Sequence, residues 1–332
     1  MACSPGGGVQ TVVRAGRRRV ELRAFAVLSY GETPAVHDLP IPEADGGFLI
    51  RVSYAGVNPL DSNLLERLTA ASTYPFVMGI DFAGVIEHSA AASDLQAGER
   101  VFGMARTHGA YAEYTAVAPG VKSEPVARIP DGITDEQAAA LPIPATTALR
   151  TVELMQIVSG QRVVVMGATG GVGGYAVQMA RSREAHVIAT VRGDVDEAHR
   201  LGAEEVYDSN AVDVIDAVRA SHPDGVDAVL DLVNGPQAIQ RDADILKRGG
   251  SLVSTIFAAD EKWFAERQIT AHNHASSKNP LISPHGLSEV ARMLAEGTIT
   301  ARVRSTVELD GAGQVLAQLR SGGLRGKAVI RL

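Results

Sequence analysis

The feature that most constrains this chain is the segment at residues 162–183, RVVVMGATGGVGGYAVQMARSR. It opens with an unbroken apolar run, which is typical of a strand covered on both faces of a parallel sheet. A turn crowded with glycines follows, and apolar residues then recur at helical spacing at Val172, Ala176 and Ala180. The pattern predicts a strand, a tight turn and a helix whose first amides face the turn.

The turn has the spacing A-x-G-x-x-G through Ala168, Gly170 and Gly173. Missing Cβ atoms let a ligand approach the main chain, and the positive end of the helix dipole favours a pyrophosphate there. A second strand is predicted at residues 185–191, at the distance that a βαβ unit requires. The alternative is a tight turn without a ligand, but so many glycines destabilise a turn that does not need them.

Composition limits the class of protein. The chain has 332 residues, 45% of them hydrophobic, and a formal net charge of −7. This length favours two domains. The negative charge argues against nucleic acid or an anionic membrane as the main partner, and no apolar run is long enough to span a bilayer.

The beginning of the chain indicates no signal peptide. The single cysteine, Cys3, lies in a Gly-rich leader whose arginines have no apolar run behind them. One cysteine forms no internal disulfide, so a reducing, cytoplasmic compartment is expected. Residues 1–21 are predicted to be a disordered leader or the product of an over-called start codon.

The rest of the chain divides by its patterns. Short strands separated by Pro and Gly begin at residue 22, and an alanine-rich helical stretch broken by Pro142 and Pro144 begins near Thr134. From residue 162 strands alternate with helices, as in a doubly wound parallel sheet. The last helices and strands break that alternation. We therefore predict an α/β fold with a β-rich domain and a Rossmann domain, at residues 22–138 plus 275–332 and 139–274 respectively.

Ordered motifs extend over nearly the whole chain: AGVNPLD at residues 55–61, PFVMGIDFAGVIE at 75–87, GERVFG at 98–103, GAYAEY at 109–114, AALPIPATTAL at 139–149, GATGGVGGYAVQMA at 167–180, LGAEEV at 201–206 and GLRGKAVIRL at 323–332. Together they resemble the medium-chain dehydrogenase/reductase superfamily, in its zinc-independent, zeta-crystallin-like quinone oxidoreductase branch. The resemblance implies a split GroES-like β-rich catalytic domain, an inserted Rossmann domain and a substrate cleft between them. It also implies a homodimer.

The resemblance implies no metal site. Zinc-dependent relatives carry Cys where Asn58 stands and His where Ile80 stands, and their four-cysteine loop is missing here. His272 and His274 share one strand face and offer two ligands, but no third is evident nearby in the sequence. Surface or cleft-lining histidines are the favoured interpretation.

The residue after the second Rossmann strand distinguishes the two nicotinamide cofactors. An acidic side chain there binds a ribose 2′-hydroxyl, whereas a cation suits a 2′-phosphate. Here it is Arg192, which predicts NADPH; a solvated surface arginine is the alternative. Asp194 is interpreted as a helix N-cap, with Glu197 as its partner. Ser209 stands where quinone reductases often carry Tyr, which weakens the phosphate site.

The resemblance also assigns the other cofactor contacts. Asn58 and Thr147 are expected near the nicotinamide, and the glycine turn at the pyrophosphate. Positions in that turn, after the fourth and fifth Rossmann strands and in the closing GK pair complete the set: Thr169, Gly170, Gly171, Val172, Gly173, Val233, Asn234, Thr255, Ile256 and Lys327.

Without a metal to polarise a carbonyl, small-molecule conjugated acceptors are the expected substrates. Hydride added to a quinone or an α,β-unsaturated carbonyl leaves charge on a delocalised oxygen, which one hydrogen-bond donor and water can neutralise. Asn58 and Tyr74 are the candidate catalytic donors. The alternatives are that Asn58 holds the turn at Pro59 and that Tyr74 only packs.

Three functions stay open at this point. The leading one is an NADPH-dependent quinone or enone reductase. An enoyl-thioester reductase is the second, and a cationic groove for a phosphopantetheine arm would favour it. The third is a catalytically silent NADPH-binding or adaptor protein. A serine hydrolase is not supported, because the sequence has no G-x-S-x-G elbow.

Overall fold

The computed structural model describes residues 21–90, 93–118, 121–275 and 278–332, so the predicted leader lies outside the described residues except for its last one. The strands and helices of the described chain are β1 Glu21–Val27, β2 Ala35–Pro40, β3 Phe48–Val57, α1 Pro59–Glu66, β4 Phe76–Val77, β5 Asp81–His88, β6 Arg100–Met104, β7 Tyr114–Val117, β8 Val126–Arg128, α2 Asp135–Ala139, α3 Pro142–Leu154, β9 Arg162–Met166, α4 Gly171–Ser182, β10 His186–Val191, α5 Val195–Arg200, β11 Glu205–Asp208, α6 Val214–Ser221, β12 Val226–Asp231, β13 Leu246–Ser254, α7 Glu261–Ala265, β14 Thr270–Asn273, α8 Pro284–Ala295, β15 Val303–Glu308, α9 Ala312–Arg320 and β16 Lys327–Arg331. None of the described helices has the length and apolarity that a membrane crossing requires.

One sheet is parallel throughout. Its six strands lie in the order β11-β10-β9-β12-β13-β14, and every pair in it is parallel. This is the doubly wound Rossmann order, in which the chain leaves the central strand in both directions. The predicted parallel sheet is confirmed. Ligands bind such sheets at the carboxyl ends of the two strands where the order reverses, here β9 and β12.

The β-rich part contains two sheets. The strands of the larger one follow the order β15-β16-β3-β5-β6-β8, with β7 also paired to β3, and the smaller sheet is β2-β1-β4. The last strand, β16, pairs antiparallel with β3, with Ala328 opposite Val57. The end of the chain therefore lies beside the end of β3, although about 270 residues separate them in sequence.

The prolines near residue 142 begin a helix. The break in the helical stretch falls between α2 and α3, and Pro142 and Pro144 both lie in the first turn of α3. Proline is tolerated in a first turn because its missing N–H has no intrahelical acceptor there.

A buried carboxylate joins the two parts of the molecule. Glu197, on α5 of the Rossmann part, has a side chain that is 5% exposed. Its oxygens lie 2.7 Å from Arg302 Nε and 3.3 Å from Arg304 Nη1, which come from the segment that forms β15. Arg200, one turn later on α5, lies 2.8 Å away. One carboxylate thus holds cations from both domains.

We expect Glu197→Gln to lower the free energy of unfolding by about 1–3 kcal/mol, because the half-exposed arginines would face a neutral group. Urea denaturation at neutral pH measures this change. Glu308→Gln is the matched control, since that carboxylate pairs with Arg331 at the surface, where both side chains are more than half exposed. Equal losses in the two variants would contradict a role for Glu197 at the domain junction.

Candidate active site

A buried network lies where β3 ends. Lys327 Nζ donates hydrogen bonds to the main-chain oxygen of Val57 at 2.9 Å and to Asn58 Oδ1 at 2.7 Å. Asn58 Nδ2 donates to Asp81 Oδ2 at 2.8 Å, and the Ile143 amide donates to the same oxygen at 3.1 Å. Asn58, Asp81 and Lys327 are 3%, 0% and 5% exposed. Since a cation holds one end of the Asn58 amide and a carboxylate the other, its orientation is determined.

A second carboxyl group, that of Asp61, binds Asn58 through the main chain. Asp61 lies in the first turn of α1, and its Oδ2 accepts hydrogen bonds from the Asn58 main-chain N–H at 2.7 Å and from the Tyr111 hydroxyl at 2.8 Å. Its other oxygen is buried and has no hydrogen-bond partner among the described residues. The turn at Pro59 is therefore held by Asp61 and the Asn58 main chain, while the Asn58 side chain bonds across to Asp81.

Burial dominates the protonation of this network. It raises the pKa of Asp61 to about 7, although the Asn58 amide and Tyr111 oppose the change. It raises the pKa of Asp81 to about 6, against the charge of Lys327 and the Asn58 hydrogen bond. Burial also lowers the pKa of Lys327, which the two carboxylates oppose. Two carboxyl groups that titrate near neutral pH thus bind Asn58, Asp61 at its main-chain N–H and Asp81 at its side-chain amide.

The glycine turn adjoins this network. A Cβ atom on Gly173 would lie 2.2 Å from the Gly167 oxygen, so only glycine fits there. On Gly171 the closest atoms would be 3.9 Å away, which leaves the start of α4 open. Gly170 is the N-cap, and no side chain caps the helix. The stem of Lys327 lies 4.0 Å from where a Cβ on Gly171 would stand and lines the same pocket as Gly170, so one lysine lies beside the turn and also holds Asn58.

Arginines line the cleft that contains the glycine turn. The cleft has a volume of about 530 Å³, and its walls include Arg192, Ser209 and Arg325. Arg325 Nη1 donates to the main-chain oxygen of Arg192 at 2.8 Å. Ser209 Oγ donates to the oxygen of Val191 at 3.0 Å, which places it at the end of β10. The Arg325 guanidinium, from near the end of the chain, therefore lies against the main chain where β10 ends, and Arg192 lines the same cleft.

The predicted helix cap at Asp194 is only partly right. Asp194 is the N-cap residue of α5, but its φ is 57° and its side chain makes no capping hydrogen bond. The carboxylate instead lies 3.4 Å from Arg304 Nη2. Glu197, the expected capping partner, is likewise drawn to arginines. Both acidic side chains pair with Arg302 or Arg304 instead of capping the helix.

The comparisons with known proteins agree with this architecture. Residues 44–131 match the family described as alcohol dehydrogenase GroES-like domain, and residues 201–330 match zinc-binding dehydrogenase. The chain is 31% identical over 246 residues to the quinone oxidoreductase of Pongo abelii, which covers 70% of this chain and 72% of that protein. The chain belongs to the medium-chain dehydrogenase/reductase family, in its quinone oxidoreductase branch.

Two further similarities place this branch member among oxidoreductases. The trans-enoyl reductase himH of Aspergillus japonicus is 30% identical over 224 residues, which cover 61% of this chain and 64% of that protein. The solved quinone oxidoreductase of Coxiella burnetii superposes with a TM-score of 0.80 at 25% identity, covering 94% of this chain and 99% of that one. The GroES-like domain and the NAD(P)-binding oxidoreductase fold expected from the sequence are confirmed.

The residues of this oxidoreductase fit a nicotinamide dinucleotide. The open, glycine-lined start of α4 suits a pyrophosphate. Thr147, on α3, is 4% exposed, and within the part of the chain that the structure describes its hydroxyl has no hydrogen-bond partner. By contrast, the hydroxyls of Thr146 and Thr151 on the same helix donate to helix carbonyls. A buried, unpaired hydroxyl is costly unless a ligand pairs with it, and the nicotinamide carboxamide offers both donors and acceptors.

The other predicted cofactor residues lie around the carboxyl ends of the parallel strands. The amides of Val233 and Asn234 both donate to Asp231 Oδ1 at 2.8 Å, which fixes the loop after β12. Thr255 and Ile256 follow β13, and Ile256 is 49% exposed. Thr169 lines the cleft with the glycines, whereas the side chain of Val172 packs against the core and offers only its main chain.

Tyr74 does not join the Asn58 network. It is half-buried, and its hydroxyl donates to the Thr69 oxygen at 2.9 Å, within its own loop. The structure therefore brings Asn58 and Lys327 together with the glycine turn and leaves the hydroxyl of Tyr74 occupied elsewhere.

The positions that hold zinc in relatives carry other groups. Ile80 is 1% exposed in an apolar cluster with Met104, Ile143 and Ile282. Burial lowers the pKa of His274 to about 4, with help from the Arg150 charge, so its imidazole is neutral at pH 7. Within the ranges that the structure describes, no group of three or more His, Cys, Asp or Glu side chains is arranged to hold a metal ion.

Sequence reasoning missed three residues of the site: Asp61, Asp81 and Arg325. Asp61 and Asp81 lie inside quoted motifs, but acidic residues next to Pro and Gly are common in turns. A signal was available in the apolar neighbours of Asp81, because a carboxylate amid buried residues needs partners. Arg325 gave no signal because it is far from Arg192 in sequence and contacts the Arg192 main chain only in the folded protein.

The raised pKa values predict that stability falls as pH rises. A carboxyl group with a raised folded-state pKa stabilises the fold fully below its unfolded pKa near 4, and the contribution is lost as pH passes through the folded value. Urea unfolding between pH 4 and pH 8 should show this fall, with at most about 1.4 kcal/mol per pH unit for each group. Asp61→Asn should flatten the curve between pH 6 and pH 7. The exposed control Asp131→Asn should leave it unchanged, and parallel curves for all three proteins would contradict the assignment.

Proposed function

We propose that this protein is an NADPH-dependent reductase of quinones or α,β-unsaturated carbonyls that acts without a catalytic metal. The observation that carries the proposal is the position of Lys327 between the glycine turn and Asn58. Its stem lies beside the glycine turn, and its ammonium holds the Asn58 amide. A dinucleotide on the turn and an acceptor oxygen on Asn58 would therefore share one cleft.

Asn58 is the proposed donor to the acceptor oxygen. Its amide nitrogen carries two hydrogens, and only one is used in the bond to Asp81. Lys327 and Asp81 keep the amide from rotating, so the second hydrogen is preorganised and costs little to orient. NADPH, when bound, supplies the hydride. Charge that develops on the acceptor oxygen is stabilised by the amide, and water supplies the proton.

The apolar side chains near Asn58 favour an apolar acceptor. Ile80, Met104, Ile143 and Ile282 form a cluster against which the half-buried Leu60 and Leu64 pack, the latter two from α1. Apolar surroundings with a few positioned polar groups are typical of sites for small, weakly polar ligands. Quinones and enones match this description better than polyols or amino acids.

The cofactor preference rests on Arg192 and Arg325. Arg192→Ala and Arg325→Ala should each raise KM for NADPH about tenfold to a hundredfold, as expected for losing charge-assisted hydrogen bonds worth about 1.5–3 kcal/mol. KM for NADH should stay within about twofold, because NADH lacks the 2′-phosphate. Steady-state kinetics with both cofactors test this. Arg320→Ala, an exposed arginine on α9, is the matched control; equal effects on NADPH and NADH would remove the assignment.

The activity is tested by NADPH oxidation with 1,4-benzoquinone, 9,10-phenanthrenequinone and an α,β-unsaturated ketone, each with and without a chelator. Turnover on conjugated acceptors that survives chelation is expected. Asn58→Ala should lower kcat/KM at least about tenfold, the usual size for one preorganised donor. Tyr74→Phe should change it less than about twofold, because that hydroxyl is bound to Thr69.

Three results would overturn the proposal. Loss of activity on chelation with recovery on adding zinc would show a metal-dependent reductase. Tight NADPH binding in calorimetry without turnover on any acceptor would favour a silent binding protein. A larger effect of Tyr74→Phe than of Asn58→Ala would transfer the donor role to Tyr74.

A further inference from the structure

The Rossmann part buries two carboxyl groups that the proposed reaction does not use. Asp231 is the last residue of β12, and Asp242 lies in the short 3₁₀ helix Ile239–Asp244. Both are 0% exposed. Asp231 Oδ2 and both oxygens of Asp242 accept no hydrogen bond from an N–H or O–H group of the described residues. Because buried oxygens without a partner are costly, the two carboxyl groups need an arrangement that satisfies them.

The two carboxyl groups lie within hydrogen-bonding reach of each other. The pKa of Asp242 is raised to about 10, first by burial and then by the charge of Asp231 and a hydrogen bond with it. Two ionised carboxylates so close together repel each other, and one proton between them removes the repulsion. That proton also turns one acceptor oxygen into a donor. At neutral pH Asp242 is therefore a carboxylic acid and Asp231 a carboxylate.

The cations around this pair are engaged elsewhere. Arg241, next to Asp242 in the chain, lowers the pKa of Asp242 against burial, but its guanidinium binds Asp213 at 2.9 Å and 3.0 Å. Across the described chain, no lysine, arginine or histidine forms an ion pair with Asp231 or Asp242. A proton, not a salt bridge, therefore compensates their charge. Other charged side chains of the neighbouring α6 and β13 have partners of their own, Asp216 with Arg219 and Lys247 with Asp227.

Asp231 connects this pair to the dinucleotide cleft. Its Oδ1 accepts hydrogen bonds from the main-chain amides of Val233 and Asn234, each at 2.8 Å. Val233 lies against the glycine turn, since a Cβ on Gly167 would stand 2.7 Å from Val233 Cγ1. Asn234 Nδ2 lies 3.3 Å from the sulfur of Met166, the last residue of β9. Both loop residues line the cleft together with Gly167, so the orientation of one buried carboxylate sets the position of the cleft wall.

We propose that Asp231 and Asp242 share one proton and that this proton positions the loop at residues 232–234 for the dinucleotide. The Asp242 hydroxyl donates to Asp231 Oδ2, while Asp231 Oδ1 binds both loop amides. Loss of the proton places a second negative charge beside Asp231, so that the carboxylates move apart and the loop leaves its position. Asp242 is a positioning residue, because it acts through Asp231. The proposal rests on the proposed function for the identity of the dinucleotide.

Calorimetry with NADPH and NADH at pH 7.5 tests the role of the loop. Asp242→Ala should weaken NADPH binding at least about fivefold, because Asp231 loses its hydrogen bond. Asp242→Asn should bind NADPH within about twofold of the parent, since its amide N–H donates in place of the hydroxyl. Asp242→Ala should weaken NADH binding by the same factor, because the loop follows β12 and the 2′-phosphate is expected at the end of β10. Asp244→Ala, exposed at the end of the same short helix, is the matched control and should bind like the parent.

Comparison of the parent with Asp242→Asn across pH tests the shared proton. Between pH 8.5 and pH 10.5 the parent should lose NADPH affinity more steeply, because only its Asp242 has a proton to lose. Lys327 also loses its proton in alkaline solution, since burial lowers its pKa, but it does so in both proteins. Urea unfolding gives a second measurement. A raised folded-state pKa stabilises the fold fully below the unfolded pKa near 4 and less as pH rises toward the folded value, so the unfolding constant of the parent should rise relative to that of Asp242→Asn by up to about tenfold per pH unit between pH 5 and pH 9.

The outcomes separate this inference from the proposed function. Equal NADPH affinity in Asp242→Ala and the parent, or an equal loss in Asp242→Ala and Asp242→Asn, overturns the role of the loop even with full quinone turnover. Parallel pH curves for the parent and Asp242→Asn overturn the shared proton, and this comparison decides the case where Asp242→Ala fails to fold. A parent that binds no NADPH overturns the proposed function together with the role of the loop, while the unfolding curves still decide the shared proton.

Discussion

A lysine ammonium that is 5% exposed costs several kcal/mol to bury unless acceptors and opposite charges surround it. Lys327 is provided with a main-chain oxygen, the Asn58 amide oxygen and the nearby carboxylate of Asp81. The first two groups lie at the end of β3 and the third at the start of β5, so the ammonium, which β16 carries, requires these three strands to be in place together. The orientation of the Asn58 amide is a consequence of that requirement.

The same lysine depends on a glycine near its ammonium. A Cβ on Gly56 would lie 3.2 Å from its Nζ and 2.3 Å from the Ala139 oxygen, so β3 approaches α2 only without a side chain there. At Gly171 a Cβ would have room, since its nearest neighbours would be 3.9 Å and 4.0 Å away, so the start of α4 is open beside the lysine stem. Close packing at Gly56 and open space at Gly171 thus lie at opposite ends of the Lys327 side chain.

Charge is divided between two environments. Inside, two carboxyl groups and one ammonium nearly cancel and hold a neutral amide. Outside, Arg192 and Arg325 line the cleft that contains the glycine turn. This division suits a reaction between a phosphorylated cofactor and a conjugated acceptor. Phosphate groups bind in partly solvated places where arginine is effective, and the reacting atoms lie where water is scarce.

Most of the fold was predictable because its signals are local. The apolar run of β9, the glycine turn and the alternation after residue 162 describe one parallel sheet, which the structure contains. Side-chain roles were less predictable. The Tyr74 hydroxyl bonds within its own loop, and Asp194 turns to an arginine of a distant strand, since hydrogen bonds and ion pairs depend on neighbours that sequence order does not reveal.

By itself the sequence determined the Rossmann unit, the family and the places where main-chain amides are free, because glycine spacing and apolar periodicity act over a few residues. Only the tertiary structure decided that Asp81, Asn58 and Lys327 form one buried network and that the Arg325 guanidinium binds the main chain of Arg192. These arrangements depend on the last strand returning to pair with β3, and pairing between segments so far apart is settled by packing of the whole chain.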